Sequence, residues 1–351
     1  MAQNFSLQKF ISTAALLVLL GLVGVAAYSQ SGDGLSVTME TSTTGDPLTF
    51  WNEGPAKNAI IDFVTRTTTT GNRDFVAPAD RIAVFDNDGT LWAEQPVYFQ
   101  LAFALDEIKR LAPDHPEWAD KEPFRSIITG DMKGLMASGE KGLLEAIAVT
   151  HTGMTTDEFA ANVGKWLETA RHPKFKRPYS ELVYQPQLEL LSYLRANGYK
   201  TFIVSGGGVE FMRVFADKVY GIPPEQVVGS SGVVKFVKGD DGKISLVKEP
   251  KVEFVDDGTG KPVGINRFIG HRPVFAFGNS DGDQQMLEYT TSGAGPHLGL
   301  IVHHTDAMRE FAYDRTSHIG KLDKAMDEAS KAGWVLVDMK SDWKTVFPPV
   351  P

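Results

Sequence analysis

Three short apolar runs constrain this chain more than anything else in it: Ile82-Ala83-Val84-Phe85, Thr201-Phe202-Ile203-Val204 and Val274-Phe275-Ala276-Phe277. Runs of this length without polar alternation suit strands covered on both faces, the usual condition of a parallel sheet. Leu298 to Val302 and Trp334 to Val337 read as further strands. Amphipathic helices separate the runs. In the segment from Pro186 to Asn197, Leu188, Leu191 and Leu194 share one side, Pro186 suits the first turn and Gly198 the exit. Strand and helix alternating with right-handed crossovers predict an α/β fold built on a doubly wound, Rossmann-like parallel sheet.

The other segments fill in around that sheet. Pro55 to Thr67 reads as a helix with Ile60, Ile61, Phe63 and Val64 giving a partly periodic apolar face. From about Pro96 to Arg177 the chain is mostly helical, broken at Gly130, Gly139 and Gly153, and falls between the first two strands. This predicts an inserted helical cap over 96–177, with 48–95 and 178–351 forming the core. Alternating valines over 227–256 and the turn Asp240-Asp241-Gly242 predict a β-hairpin.

The N-terminus bears on compartment. Lys9 is the only charged residue before Asp33, and Phe10 to Tyr28 carries no charge. Ala27 and Ser29 place small residues where a cleavage site before Gln30 needs them, so 1–29 reads as a signal peptide. The run is also long enough to serve as an uncleaved membrane anchor. Either reading puts the remainder outside the cytoplasm, periplasmic or secreted, touching a membrane only through this segment. Residues 30–47, rich in Ser, Thr and Gly, read as a linker. With no cysteine, the chain has no disulfide, thiolate metal site, cysteine nucleophile or lipidated cysteine. A formal net charge of −9 argues against general binding to nucleic acid or anionic membrane.

In an open parallel sheet, ligands bind at the carboxyl ends of the strands, and three predicted strand ends carry polar chemistry. The first is Asp86-Asn87-Asp88-Gly89-Thr90. Two carboxylates two residues apart can face one site: one can attack phosphorus, the other can protonate the leaving oxygen and later deprotonate water. The bland alternative is an Asx-turn with solvated acids, which the preceding buried strand disfavours. The second is Ser205-Gly206-Gly207-Gly208 ahead of a predicted helix from Val209 to Tyr220, where a hydroxyl and unencumbered amides can cradle phosphate oxygens. An ordinary N-cap would look the same. The third is Gly278-Asn279-Ser280-Asp281-Gly282-Asp283, whose oxygens suit a hard cation such as Mg²⁺. A polar turn is its alternative. Lys261 is the candidate fixed positive charge, with Lys251 as the rival.

These motifs together resemble the haloacid dehalogenase superfamily, in particular its phosphoserine-phosphatase-like branch with a helical cap. FDNDGTL at 85–91, VSGG at 204–207, Lys261 and FGNSDGDQQML at 277–287 carry the resemblance, and the stretch 221–229 adds to it. It implies Asp86 as nucleophile and Mg²⁺ ligand, and Asp88 as general acid and base with its main-chain carbonyl on the metal. Ser205, Gly206 and Gly207 would hold the phosphoryl group, Lys261 would neutralise it, and Asn279 and Asp283 would complete the metal site. The family usually has Asp where this chain has Asn279, so Asp281 or Asp283 stands as the alternative ligand. The resemblance to dehalogenases is weaker, since they usually lack the second Asp. The implied activity is hydrolysis of a small phosphomonoester. A phosphotransferase using the same intermediate, or a non-catalytic envelope binding protein, would keep the same fold.

Substrate choice would fall to the cap side. Glu94 and Gln95 follow the first motif closely enough to meet a leaving group. Arg125, His151, Arg171, His172 and Arg177 are candidates for further anionic groups, though each reads more readily as a surface residue. Trp92 and Phe99 read as packing.

Overall fold

The first strand, β1 (Ile82–Phe85), is buried at every position, and so is β5 (Phe275–Gly278). A computed structural model of the chain describes residues 45–349. The N-terminal apolar run and the linker up to residue 44 lie outside the described residues. The remaining strands are β2 (Lys200–Gly208), β3 (Val227–Lys238), β4 (Ile244–Phe254), β6 (Leu298–Thr305), β7 (Ala312–Tyr313) and β8 (Val335–Asp338). They form one eight-stranded sheet of order β4-β3-β2-β1-β5-β6-β7, with β8 paired to β6. The pairings among β3, β2, β1, β5, β6 and β8 are parallel. Only β3–β4 and β6–β7 are antiparallel.

From β1 the chain builds outward through β2 and β3, then returns to place β5 and β6 on the other side. The crevice at the carboxyl end of β1 is therefore the switch point where ligands bind in open α/β sheets. Alternate residues of β1 feed two core layers: Ala83 and Phe85 join one, Ile82 and Val84 the other. This is the two-residue period of a strand buried from both sides.

The first layer is covered by α1 (Pro55–Thr68) and α7 (Gln185–Ala196), and the second by α11 (Gln284–Thr291) and α12 (Lys324–Ala332). Besides α7, five helices intervene between β1 and β2: α2 (Phe99–Leu111), α3 (Phe124–Thr129), α4 (Met132–Ala137), α5 (Gly139–His151) and α6 (Thr156–Thr169). Ile108, Trp118, Phe124, Ile127, Leu135 and Ala146 make a small apolar cluster within this set. Phe103, Phe159 and Trp166 instead tie α2 and α6 into the main core. Thr155 and Glu158 start α6 with a reciprocal capping box, at 3.1 and 2.8 Å. Among the described residues no helix is long and apolar enough to cross a membrane.

Two local expectations change. β2 does not stop at Ser205 but runs through Gly208, so the glycines extend the strand where an N-terminal helical cradle was expected. The helix expected from Val209 to Tyr220 is two short ones, α8 (Val209–Arg213) and α9 (Ala216–Tyr220). Phe215, at their junction, instead turns its ring onto Trp92, with centroids 4.3 Å apart. Packing against the core thus overrides helix continuation. The hairpin is present as β3 and β4, turned at Gly242, whose φ of 80° is open to glycine and strained for other residues. At its other edge Lys248 donates its amide to Met154 O and Gly153 donates to Lys248 O, both at 2.9 Å. The hairpin is thereby laced to the α5–α6 connection. The remaining helices, α10 (Gly260–Gly264) and α13 (Met339–Asp342), are short.

Candidate active site

Asp86 follows β1 directly, and its amide donates to Phe277 O at 2.9 Å, which ties the strand end to β5. Gly89, at φ 76°, makes the turn behind it. A Cβ there would lie 2.0 Å from Asn279 Nδ2 and 2.4 Å from Glu94 Oε1, so only glycine fits. Trp92 Nε1 donates to Asp88 Oδ1 at 2.8 Å and fixes that carboxylate. Trp92 is thus both packing and a positioning contact.

A cavity of about 360 Å³ opens at this strand end. It is lined by Asp86, Asp88, Glu94, Ser205, Gly206, Gly207, Lys261 and Ser280, which the sequence had marked out, and by Tyr98, Gln100 and Asp257, which it had not. Lys261 rises from α10 and donates to Asp86 Oδ1 at 2.7 Å, Asp283 Oδ1 at 2.6 Å and Val204 O at 2.9 Å. Its ammonium is therefore saturated. Among the described residues, Asp86 Oδ2 receives no hydrogen bond and remains available to the cavity. Opposite, a Cβ placed on Gly207 would sit 3.4 Å from Asp88 Oδ2 and 3.6 Å from Ser205 Oγ. The missing side chain leaves that space open. Ser205 Oγ accepts from the Gly207 amide at 3.3 Å, which leaves its own hydrogen free to donate.

The charges are unbalanced. Four carboxylates, Asp86, Asp88, Glu94 and Asp257, line the cavity with one ammonium, Lys261. Burial holds Asp86 above the usual carboxylate range; the Asp283 charge adds to this and Lys261 opposes it. Burial likewise pushes Asp88 up to about 6, against the pull of the Trp92 hydrogen bond. Burial also raises Glu94 well above its ordinary value. For Lys261, burial works against the charge, but Asp283 and Asp86 outweigh it and hold the ammonium protonated.

Several candidate residues sit elsewhere or are already engaged. Asn279 gives its Nδ2 to Glu94 Oε1 at 2.7 Å, and its Oδ1 faces Thr90 Oγ1 at 3.3 Å. Asp283 spends Oδ1 on Lys261 and Oδ2 on the amides of Asn279 and Ser280, at 2.9 and 3.0 Å. In this arrangement protein groups engage both side chains, Glu94 and Thr90 at Asn279, and Lys261 with two amides at Asp283. Asp281, the alternative ligand, points away: its Oδ1 accepts from the amides of Asp323 and Ala325 at the start of α12. Glu94, expected to meet a leaving group, is 1% exposed and also accepts from Tyr313 Oη at 2.8 Å. Gln95 instead reaches Ile319 O at 3.0 Å.

Lys251 is exposed and lines a neighbouring cavity together with His151. Arg125 pairs with Glu122, Arg177 with Glu181, and Arg171 holds carbonyls of its own turn. His172 is buried and hydrogen-bonded to Gln95 O at 2.7 Å. None of these four lines the cavity. Tyr313 and His304, which brace the first motif from β7 and β6, left no signal in the sequence, because they meet it only through contacts more than two hundred residues apart.

The sheet and its buried aspartate cavity define an enzyme core of the α/β class with the candidate reacting groups at one strand end. The profile of the haloacid dehalogenase-like hydrolases matches residues 83–288, and the chain belongs to that family. A search of curated proteins gave no match. Among solved structures, the chain is similar to a conserved protein of unknown function from Anaerococcus prevotii DSM 20548. Identity is 19% and the TM-score 0.48, covering 75% of this chain and 89% of that one. It is also similar to a protein of unknown function from Bordetella pertussis Tohama I, at 17% identity and TM-score 0.45, covering 74% and 98%. A third similarity is to a phosphoserine phosphohydrolase-like protein from Francisella tularensis, at 18% identity and TM-score 0.34, covering 64% and 87%.

Proposed function

We propose that the protein is a magnesium-dependent phosphatase that hydrolyses a phosphomonoester through an aspartyl-phosphate on Asp86. One observation carries this reading. Lys261 clasps one oxygen of Asp86 and leaves the other facing a cavity across which Asp88 and Ser205 flank a glycine-made space.

In the first step Asp86 Oδ2 attacks phosphorus while the bond to the leaving oxygen breaks, and protonated Asp88 delivers its hydrogen to that oxygen. A carboxyl held near 6 can both give and take a proton near neutral pH. In the second step ionised Asp88 removes a proton from water, the water oxygen bonds to phosphorus, and the Asp86–phosphorus bond breaks. Ser205 Oγ–H and the Gly206 and Gly207 segment hold the phosphoryl oxygens. Lys261 keeps Asp86 oriented and offsets charge as it gathers.

The carboxylate excess around a single ammonium fits a hard divalent cation, which the Asp86 carboxylate and the Asp88 main-chain carbonyl would hold. When bound, Mg²⁺ would neutralise phosphoryl charge that Lys261 cannot offset alone. Glu94 is reassigned from substrate contact to support, holding Asn279 and Tyr313 behind the first motif. Helices α2 to α6 act as the cap, and 1–29 directs export.

The test is phosphate release from a panel of phosphomonoesters by the protein with Mg²⁺ and with EDTA, beside Asp86→Asn. Turnover that survives Asp86→Asn sinks the mechanism. Turnover indifferent to EDTA removes the metal.

A further inference from the structure

The catalytic cavity does not end at Asp88. Gln100, Ile147, Gly206 and Val255 also line a second, larger space of about 640 Å³ bordered by α5, α8 and the β3–β4 hairpin. Four shared residues make the two spaces neighbours. Anything esterified to a phosphoryl group held at Ser205 and Asp86 has this chamber on its far side.

Most of the polar groups in the chamber wall are already partnered by protein, Ser231, Glu249 and Lys251 excepted. Gln100 Oε1 accepts from the Gly208 amide at 2.8 Å, which fixes the orientation of its amide. Its Nε2 then donates to His151 Nε2 at 3.0 Å, so His151 carries its hydrogen on Nδ1 and donates to Thr150 Oγ1 at 2.8 Å. Burial holds that ring neutral, its pKa pushed down to about 3. Lys248, 7% exposed, is paired with Glu210 and lies 4.7 Å from the centre of the Phe159 ring. Ser230 donates to Gly206 O at 2.8 Å and accepts from the Asp256 amide at 3.0 Å. Glu145 pairs with Lys121 at 2.5 Å. What the wall presents to a ligand is chiefly Ile147, Ala148, Phe211, Pro250, Val252 and Val255. Val252 and Val255 stand at 61% and 56% exposure, apolar surface without cover. Of the remaining charges, Lys251 is exposed and Glu249 half-exposed, opposite in sign on the same strand.

We propose that this chamber receives the alcohol portion of the substrate and that this portion is apolar, so that the protein acts on aryl or long-chain alkyl phosphomonoesters in preference to a phosphorylated amino acid or sugar. A polar leaving group would lose its water here and find few free partners. An apolar one would cover Val252 and Val255 and fill a space of the size that small-molecule sites use. This inference rests on the phosphatase reading for the position of the phosphoryl group, and its test separates the two.

Calorimetric titration of the whole protein with Mg²⁺ and non-hydrolysable methyl-, butyl- and octylphosphonate reads the chamber without any turnover. Affinity should rise about threefold per methylene until the space is filled, close to the ordinary worth of burying that group. Val252→Asp, at an exposed position that puts folding at little risk, should flatten the series. In a parallel assay kcat/KM of the corresponding alkyl phosphates should follow the same order. Affinity independent of chain length overturns the proposal. So does a phosphoserine-like phosphonate binding more tightly than butylphosphonate, or a slope unchanged in Val252→Asp. A steep phosphonate series with no ester turned over supports the chamber and overturns the catalytic reading. A flat series with brisk turnover does the reverse.

Discussion

His304 on β6 donates its Nε2 hydrogen to the carbonyl of Gly89 at 2.8 Å, with its other ring nitrogen 3.3 Å from Glu310 Oε2. Both side chains are buried, and Tyr313 stacks on the imidazole at 4.3 Å between ring centres. The turn that carries Asp86 and Asp88 is thus held from behind by a strand two places away in the sheet.

His304→Ala should therefore lower kcat, by about tenfold, more than it raises KM, because a misplaced nucleophile costs chemistry more than binding. It should also cost about 1–3 kcal/mol in stability, the penalty for leaving the Gly89 carbonyl and Glu310 without their partner. Steady-state kinetics and urea unfolding read the two effects separately. His304→Gln, which can keep a donor near Gly89, should recover part of kcat. A loss of stability with no change in kcat in either variant means that the contact does not position the turn.

Lys261 is shared by two buried carboxylates, so its removal should be felt as a pH-dependent instability. Lys261→Met leaves Asp86 and Asp283 without a counter-charge, and breaking a buried pair in this way typically costs about 3–5 kcal/mol. The loss should be larger at pH 9, where Asp86, pushed up by burial to about 8, is ionised, than at pH 5, where it carries its proton. Denaturant melts of both proteins without added Mg²⁺ at the two pH values test this. Equal losses at both pH values would show that the lysine acts through packing alone.

Asp256 is fully buried and neither carboxylate oxygen has a partner among the described residues. Burial pushes its pKa up to about 7 against the attraction of Lys261. The folded protein therefore holds a proton there that the unfolded chain releases above the ordinary aspartate value of 3.8. Stability from this group is complete below that value and declines as pH rises through about 7. Asp256→Asn should then raise the melting temperature at pH 8 and change it little at pH 5. A variant less stable than the parent at pH 8 would refute the assignment.

Gly207→Ala tests the phosphate space directly. Gly207 has no positive φ, so the substitution adds a methyl group without backbone strain. That methyl would stand 3.4 Å from Asp88 Oδ2 and 3.6 Å from Ser205 Oγ. The melting temperature should hold, while kcat/KM falls by about a hundredfold and inhibition by inorganic phosphate weakens. Undiminished phosphate inhibition would place the phosphoryl group elsewhere.

What the sequence by itself determined was set by neighbours along the chain. Unbroken apolar runs made β1 and β5, a glycine turn made the β3–β4 hairpin, and a strand end put Asp86 and Asp88 two residues apart. Lys261 was legible as one of two candidate cations, with Lys251 the other. Tertiary structure alone decided which oxygens are free. Asn279 turns to Glu94, Asp281 is consumed in starting α12, and Asp283 clasps Lys261, each because a group distant in sequence arrives within hydrogen-bonding range. The same holds for the chamber, whose wall combines α5, α8 and the hairpin, and for His304 behind Gly89. A side chain's spare valence depends on every partner that folding brings to it, and residue type and spacing do not encode those partners one at a time.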